Sequence, residues 1–119
     1  MVDVYPLEKI RIDEIISSAK RRSWEGFKKL TDVPFINESS MREQFEDSSN
    51  RMAVAKGDLD ISVVAKEVGD GTRAIFTTII SESDGLNLIL TMHNSGNADV
   101  PEFAIWNFHQ NLDLNSLFD

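Results

Sequence analysis

His93 and His109 are the two histidines of a 119-residue chain without cysteine. Two imidazoles and a carboxylate could serve a metal ion or acid–base catalysis, but a His-rich or His/Cys metal site cannot be assembled from this inventory. His93 ends an apolar run and is followed by Asn94-Ser95, while His109 follows the aromatic segment FAIWNF. Neither sits in the HExxH, GxSxG or phosphate-loop spacings that carry metal, nucleophile or phosphate chemistry. Asp58 and Asp60 share one side of an extended segment and Glu82-Ser83-Asp84-Gly85 makes an acidic loop. Both fall short of the roughly five oxygen ligands that a calcium-binding loop spaces over about twelve residues. Gly69-Asp70-Gly71 has hairpin-turn chemistry, with no helix behind it to present amides to a phosphate. No catalytic residue, cofactor or metal ligand is assigned.

Charge speaks more clearly than these groups. The net charge is −8, from 12 basic and 20 acidic residues, and it is unevenly spread. Residues 1–30 hold seven bases against five acids, residues 31–119 five bases against fifteen acids, and the last base is Arg73. Such a field opposes direct contact with nucleic-acid phosphates, whose neutralisation by Lys and Arg supplies most nonspecific affinity. The one basic patch with an interleaved aromatic, Lys20-Arg21-Arg22 with Trp24 and then Lys28-Lys29, spreads round a helical cylinder among Asp13, Glu14 and Glu25 and reads as a solvent face. A basic protein surface is the partner that the charge favours.

These residues must be positioned by a single domain, the usual outcome at this length and at 41% hydrophobic content. The absence of cysteine suits a reducing, cytoplasmic setting, and no apolar run approaches a signal peptide or a membrane span. Leu7, Ile10, Ile15 and Ala19, flanked by Ile12 and Ile16, recur at helical spacing behind Pro6. WEGFKKL continues or restarts that helix, with Pro34 as a stop. Ser40 and Glu43 read as a capping box opening a helix from about Met41 to the low fifties, with Met41, Phe45, Ser48 and Met52 on one face. After Gly57 the period shortens: LDISVVAKEV, RAIFTTII and LNLILTMHN, separated by turn residues, predict a three-stranded antiparallel meander over residues 59–94. On the third strand Leu86, Leu88 and Leu90 point one way and Asn87, Ile89 and Thr91 the other. The expected fold class is α+β in two layers, N-terminal helices on that meander.

The closing stretch is expected to add a C-terminal helix. Asp99 and Glu102 form a capping-box-like pair around Pro101, and Phe103, Trp106, Leu114 and Leu117 then share one side of a helical wheel opposite Ile105, Phe108 and Leu112. A strand is the alternative for FAIWNF, although Asn107, Gln110 and Asn111 suit a strand poorly. On the helical reading the Phe103 and Trp106 side lies on the sheet. Ile105 and Phe108, beside Asp99, Glu102 and Asp113, become the partner-binding surface: apolar anchors ringed by carboxylates. NLDLNSLFD is either core or a short docking motif. The function expected from this sequence is a small acidic protein-binding module, most specifically a neutralising inhibitor or immunity protein that offers carboxylates to a basic partner such as a nuclease. A secretion or folding chaperone is the alternative, and a small-molecule-binding domain or enzyme the third.

Overall fold

Residues 3–111 are described in the computed structural model, where three helices cover one face of a four-stranded antiparallel sheet. Helix α1 spans Pro6–Lys20, α2 Trp24–Lys28 and α3 Glu38–Val54; strand β1 spans Asp60–Glu67, β2 Arg73–Ser81, β3 Leu86–Asn94 and β4 Phe103–Gln110, in spatial order β1-β2-β3-β4. Among the described residues no helix is long and apolar enough to cross a membrane.

Pro6 occupies the first turn of α1, where its missing N–H costs nothing, and the helix closes before Arg22, whose φ of 55° places it in the left-handed region typical just past a helix end. The chain then restarts as the five-residue α2, capped by the Ser23 hydroxyl accepting from the Gly26 N–H. Helix α3 is capped three residues before the expected Ser40: Asn37 is its cap, accepting from the Ser40 N–H at 3.0 Å. Its buried face holds Met41, Phe45, Ser48 and Met52, as their spacing predicts. These residues meet Phe27 and Phe108, and the Phe27 and Phe45 rings lie 4.5 Å apart between centroids. Full burial of each phenylalanine is worth about 1.5–3 kcal/mol.

The meander forms over the expected strands, with Leu86, Leu88 and Leu90 buried under the helices. The C-terminal helix does not form. Phe103–Gln110 is instead a fourth strand, pairing with β3. In place of a capping box at Asp99, the loop is shaped by two asparagines: Asn94 Oδ1 accepts from the Gly96 and Glu102 N–H groups, and Asn97 Oδ1 accepts from those of Asp99 and Val100. The Val100 carbonyl fills the space that a Cβ at residue 96 would need, which fixes glycine there.

On α1 the inward face is Glu8, Ile12, Ile15, Ile16 and Ala19, while Leu7 and Ile10, expected inside, are exposed. Glu8 determines this orientation. Its carboxylate is buried and takes four hydrogen bonds: Oε1 from the Tyr5 N–H and Arg73 Nη2 at 2.9 Å each, Oε2 from Arg73 Nε at 2.8 Å and Asn94 Nδ2 at 3.0 Å. The buried guanidinium of Arg73 also lies 3.9 Å from the centre of the Tyr5 ring. Burial pushes the Glu8 carboxyl up, but the hydrogen bonds from Arg73, Asn94 and Tyr5, with the charge of Arg73, together outweigh it and hold it below the usual value. A second depressed carboxyl, Asp84, accepts from the Ser81 hydroxyl and the Gly57 and Lys56 N–H groups and is held down to about 2.

Arg73→Ala leaves a buried carboxylate without its cation and should cost about 3–5 kcal/mol in denaturant unfolding, whereas Glu8→Met with Arg73→Met should cost clearly less than the two single changes combined. Depressed folded-state values mean that the stabilisation from Glu8 and Asp84 is present above their ordinary values, 4.5 and 3.8, and is lost as pH falls below them. For Asp84 the loss runs down to about pH 2. Melting temperature should therefore drop between pH 4 and pH 2, and less steeply in Asp84→Asn.

Candidate functional site

Strand β4 carries two of the five residues singled out for partner contact, Ile105 and Phe108, and its register decides where they go. Asn107 pairs with Thr91 and Ile105 with Met92, so Trp106 is the extra residue of a β-bulge. The bulge lets Phe103, Ile105 and Phe108 all face the helices, and each is buried. Ile105 and Phe108 are thus core residues and offer no partner surface in this fold. Trp106, expected on the core side, points away from the helices and is 42% exposed. Asp99 and Glu102 are exposed on the β3–β4 loop, whereas Asp113 and the NLDLNSLFD motif beyond Asn111 lie outside the described residues.

The helix-free face of the sheet brings these residues to others that sequence reasoning missed. Val64 on β1, Phe76 and Ile80 on β2 and Ile89 on β3 occupy the alternate positions of their strands, half-buried to exposed, with Thr78 and Thr91 between them. The His93 ring stacks on Trp106 with centroids 4.7 Å apart and planes 10° from parallel. His93 Nε2 meets the Thr72 hydroxyl at 2.6 Å, and that hydroxyl lies 2.6 Å from Asp70 Oδ1. Hydrogen bonds from the Thr72 hydroxyl and N–H hold the Asp70 carboxyl below its usual range. The hydroxyl has one proton, so when it donates to Asp70 it accepts from His93 Nε2–H.

Acid, hydroxyl and imidazole in a row resemble hydrolytic machinery, but the wiring differs. There the carboxylate bonds the imidazole and the imidazole takes the proton from the hydroxyl. Here the carboxylate bonds the hydroxyl and leaves it committed to the turn. The arrangement braces the β1–β2 turn against β3 and presents a flat, oriented Trp106. His109 lies apart, exposed, its Nδ1 near the Gln110 carbonyl at 2.8 Å. Among the described residues no three His, Asp or Glu side chains converge as a metal ion would require. Asp84 spends its oxygens on Ser81, Lys56 and Gly57, and the basic run is dispersed: Arg21 bonds Ser17, Lys28 pairs with Glu38 and Trp24 is in the core.

Carboxylates surround the helix-free face. Residues 57–111 contain eight acids and two bases, and of those bases Arg73 is buried against Glu8. Asp70 sits in the β1–β2 turn, Glu82 and Asp84 in the β2–β3 turn, Asp99 and Glu102 in the β3–β4 loop, all exposed. Lys66 is the one exposed base of this half, its ammonium 5.9 Å from the Phe76 ring centre.

The two aromatics of β4 should respond in opposite order to that expected from a helical tail. Phe108→Ala empties a fully buried site and should cost about 3–5 kcal/mol, while Trp106→Ala should cost about 1 kcal/mol or less. Equilibrium unfolding in denaturant measures both, and a larger loss for Trp106→Ala would contradict the register of β4.

Comparison of the chain with models of protein families, with curated proteins and with solved structures finds no match.

Proposed function

We propose that this chain is a small, acidic, non-catalytic protein-binding module of the cytoplasm, and that it neutralises a basic partner such as a nuclease, as immunity proteins do. The observation that carries this reading is the helix-free sheet face, with Trp106 held outward on His93 and exposed carboxylates in the turns at both ends. An oriented tryptophan buries a large area at little entropic cost, while surrounding carboxylates steer a cationic surface and repel an anionic one. The contact surface proposed here keeps Asp99 and Glu102 and replaces Ile105 and Phe108 by Trp106, Phe76 and Val64. A chaperone that holds an extended segment is less well supported, because the apolar residues form a patch across strands rather than a groove along one.

The test uses a basic nuclease as the probe, taken from among any basic proteins encoded beside this chain, in stopped-flow and calorimetric binding. Association should slow as salt rises, Asp99→Lys with Glu102→Lys should slow it about tenfold at low salt, and Trp106→Ala should weaken affinity about thirtyfold with only a small fall in melting temperature. Full affinity in the Trp106→Ala protein would place the contact elsewhere.

A further inference from the structure

The two edges of the sheet are treated differently. Strand β4 turns its outward backbone groups to partners within the chain: the Phe103 N–H donates to Asp32 Oδ2, the Phe103 carbonyl accepts from the Asp32 and Val33 N–H groups, and the Ile105 N–H donates to Thr31 Oγ1. Further along, the Phe108 N–H donates to Gln44 Oε1 and its carbonyl accepts from the Ser48 hydroxyl. This edge is closed. Strand β1 has no such cover among the described residues. The hairpin fixes which groups are left over: the Val68 N–H donates to the Thr72 carbonyl, so by antiparallel alternation Lys66, Val64 and Ser62 bond to β2 while Glu67, Ala65, Val63 and Ile61 direct N–H and C=O outward. An open, regular edge of this kind is a template for another strand.

We infer that β1 is a self-association edge, and that two copies of this chain pair antiparallel through Asp60–Glu67 about a two-fold axis at Val63. Paired residues must share a face, which restricts the axis to a residue position, and Val63 is the choice that satisfies charge as well as hydrogen bonding. Val63 then faces its own copy and Ile61 faces Ala65, each pair exchanging two backbone hydrogen bonds. On the helix-free face Asp60 lies opposite Lys66 twice over, while Ser62 meets Val64. An axis at Val64 would instead set Ile61 against Glu67, Ser62 against Lys66 and Asp60 against Val68, with no opposite charges facing. The exposed Ile61 of this strand, 40% exposed in the single chain, is accounted for too. Pairing joins the two four-stranded sheets into one and extends both of their faces. It is made by the backbone of an edge and shares only Val64 with the face assigned to a basic partner, so it stands or falls independently of that reading.

The experiment is sedimentation equilibrium at roughly physiological salt (~0.15 M) over a range of protein concentrations. Wild-type chain should dimerise. Val63→Pro removes an N–H that bonds nothing among the described residues, so it should abolish the dimer and leave the far-ultraviolet circular dichroism unchanged. Lys66→Asp, at an exposed position, should also yield monomer, and combining it with Asp60→Lys should restore dimer by exchanging the two charges. A wild-type chain that stays monomeric at every concentration, or a dimer that persists in Val63→Pro, overturns the proposal. Failure of the double charge exchange to restore what Lys66→Asp removes overturns the register.

Discussion

The carboxylate of Glu8 stands at the junction of the two layers, and much of the architecture depends on its being satisfied there. An ionised group so deeply buried is costly unless every lone pair is used, and all of its hydrogen bonds come from different parts of the chain: the backbone just before α1, the first residue of β2 and the last residue of β3. Arg73 can give its Nε and one Nη to Glu8 only if α1 starts over that end of the sheet. The other Nη is buried without a hydrogen-bond partner, and the guanidinium face rests on Tyr5 instead. Such an arrangement adds less net stability than an apolar contact of the same size would. Its effect is orientational. With Glu8 inward, Ile12, Ile15 and Ala19 follow at four-, seven- and eleven-residue steps, and Leu7 and Ile10 are left outside.

From that anchoring follows the difference between the two sheet edges. α1 packs on α3, and α3 lies along β4, so the helical layer is displaced toward the last strand. Ser48 and Gln44 on α3 then reach the backbone of β4, and the loop after α2 reaches it at Phe103. Ser49, beside Ser48 on the same helix, bonds the Ala19 carbonyl at the end of α1. The inward polar side chains of α3 are thus struts that lock helix to helix and helix to edge. At the opposite side Ile61 and Val63 are only partly covered.

The elements that sequence patterning reads well are those whose periodicity survives folding undistorted. α3 and the strands β1 to β3 have unbroken spacing, and they were legible to within a few residues. β4 was not, and the bulge explains why. By inserting Trp106 it places Phe103, Ile105 and Phe108 on one face at steps of two and then three, and a three-residue step between large apolar side chains is also what a helix shows. The same insertion exchanged the fates of Trp106 and Phe108, so a surface reasoned from a wheel was inverted. The Glu8–Arg73 pair had no local signature either, because its partners lie 65 residues apart in sequence. Acidic character and the exposed Asp99 and Glu102 were legible, since loops carry their charges outward whatever the element that follows.

A mixed outer face on a sheet is itself a statement about surroundings. Solvent on that side would be met by alternation of apolar and polar residues, yet β2 alternates its buried Ile75, Thr77 and Ile79 with Phe76, Thr78 and Ile80, so apolar groups stand on both sides. The helices need only one of them. Threonines and a histidine-backed tryptophan lie among the apolar groups of the other side, and carboxylates stand at its ends, where stacking of two copies would bring like charges together. That repulsion does not act at the β1 edge in the same way, because Asp60 and Lys66 are placed to face each other across a two-fold axis. Charge on the helix-free face is therefore set against its own kind, whereas at the β1 edge the proposed pairing would bring opposite charges together.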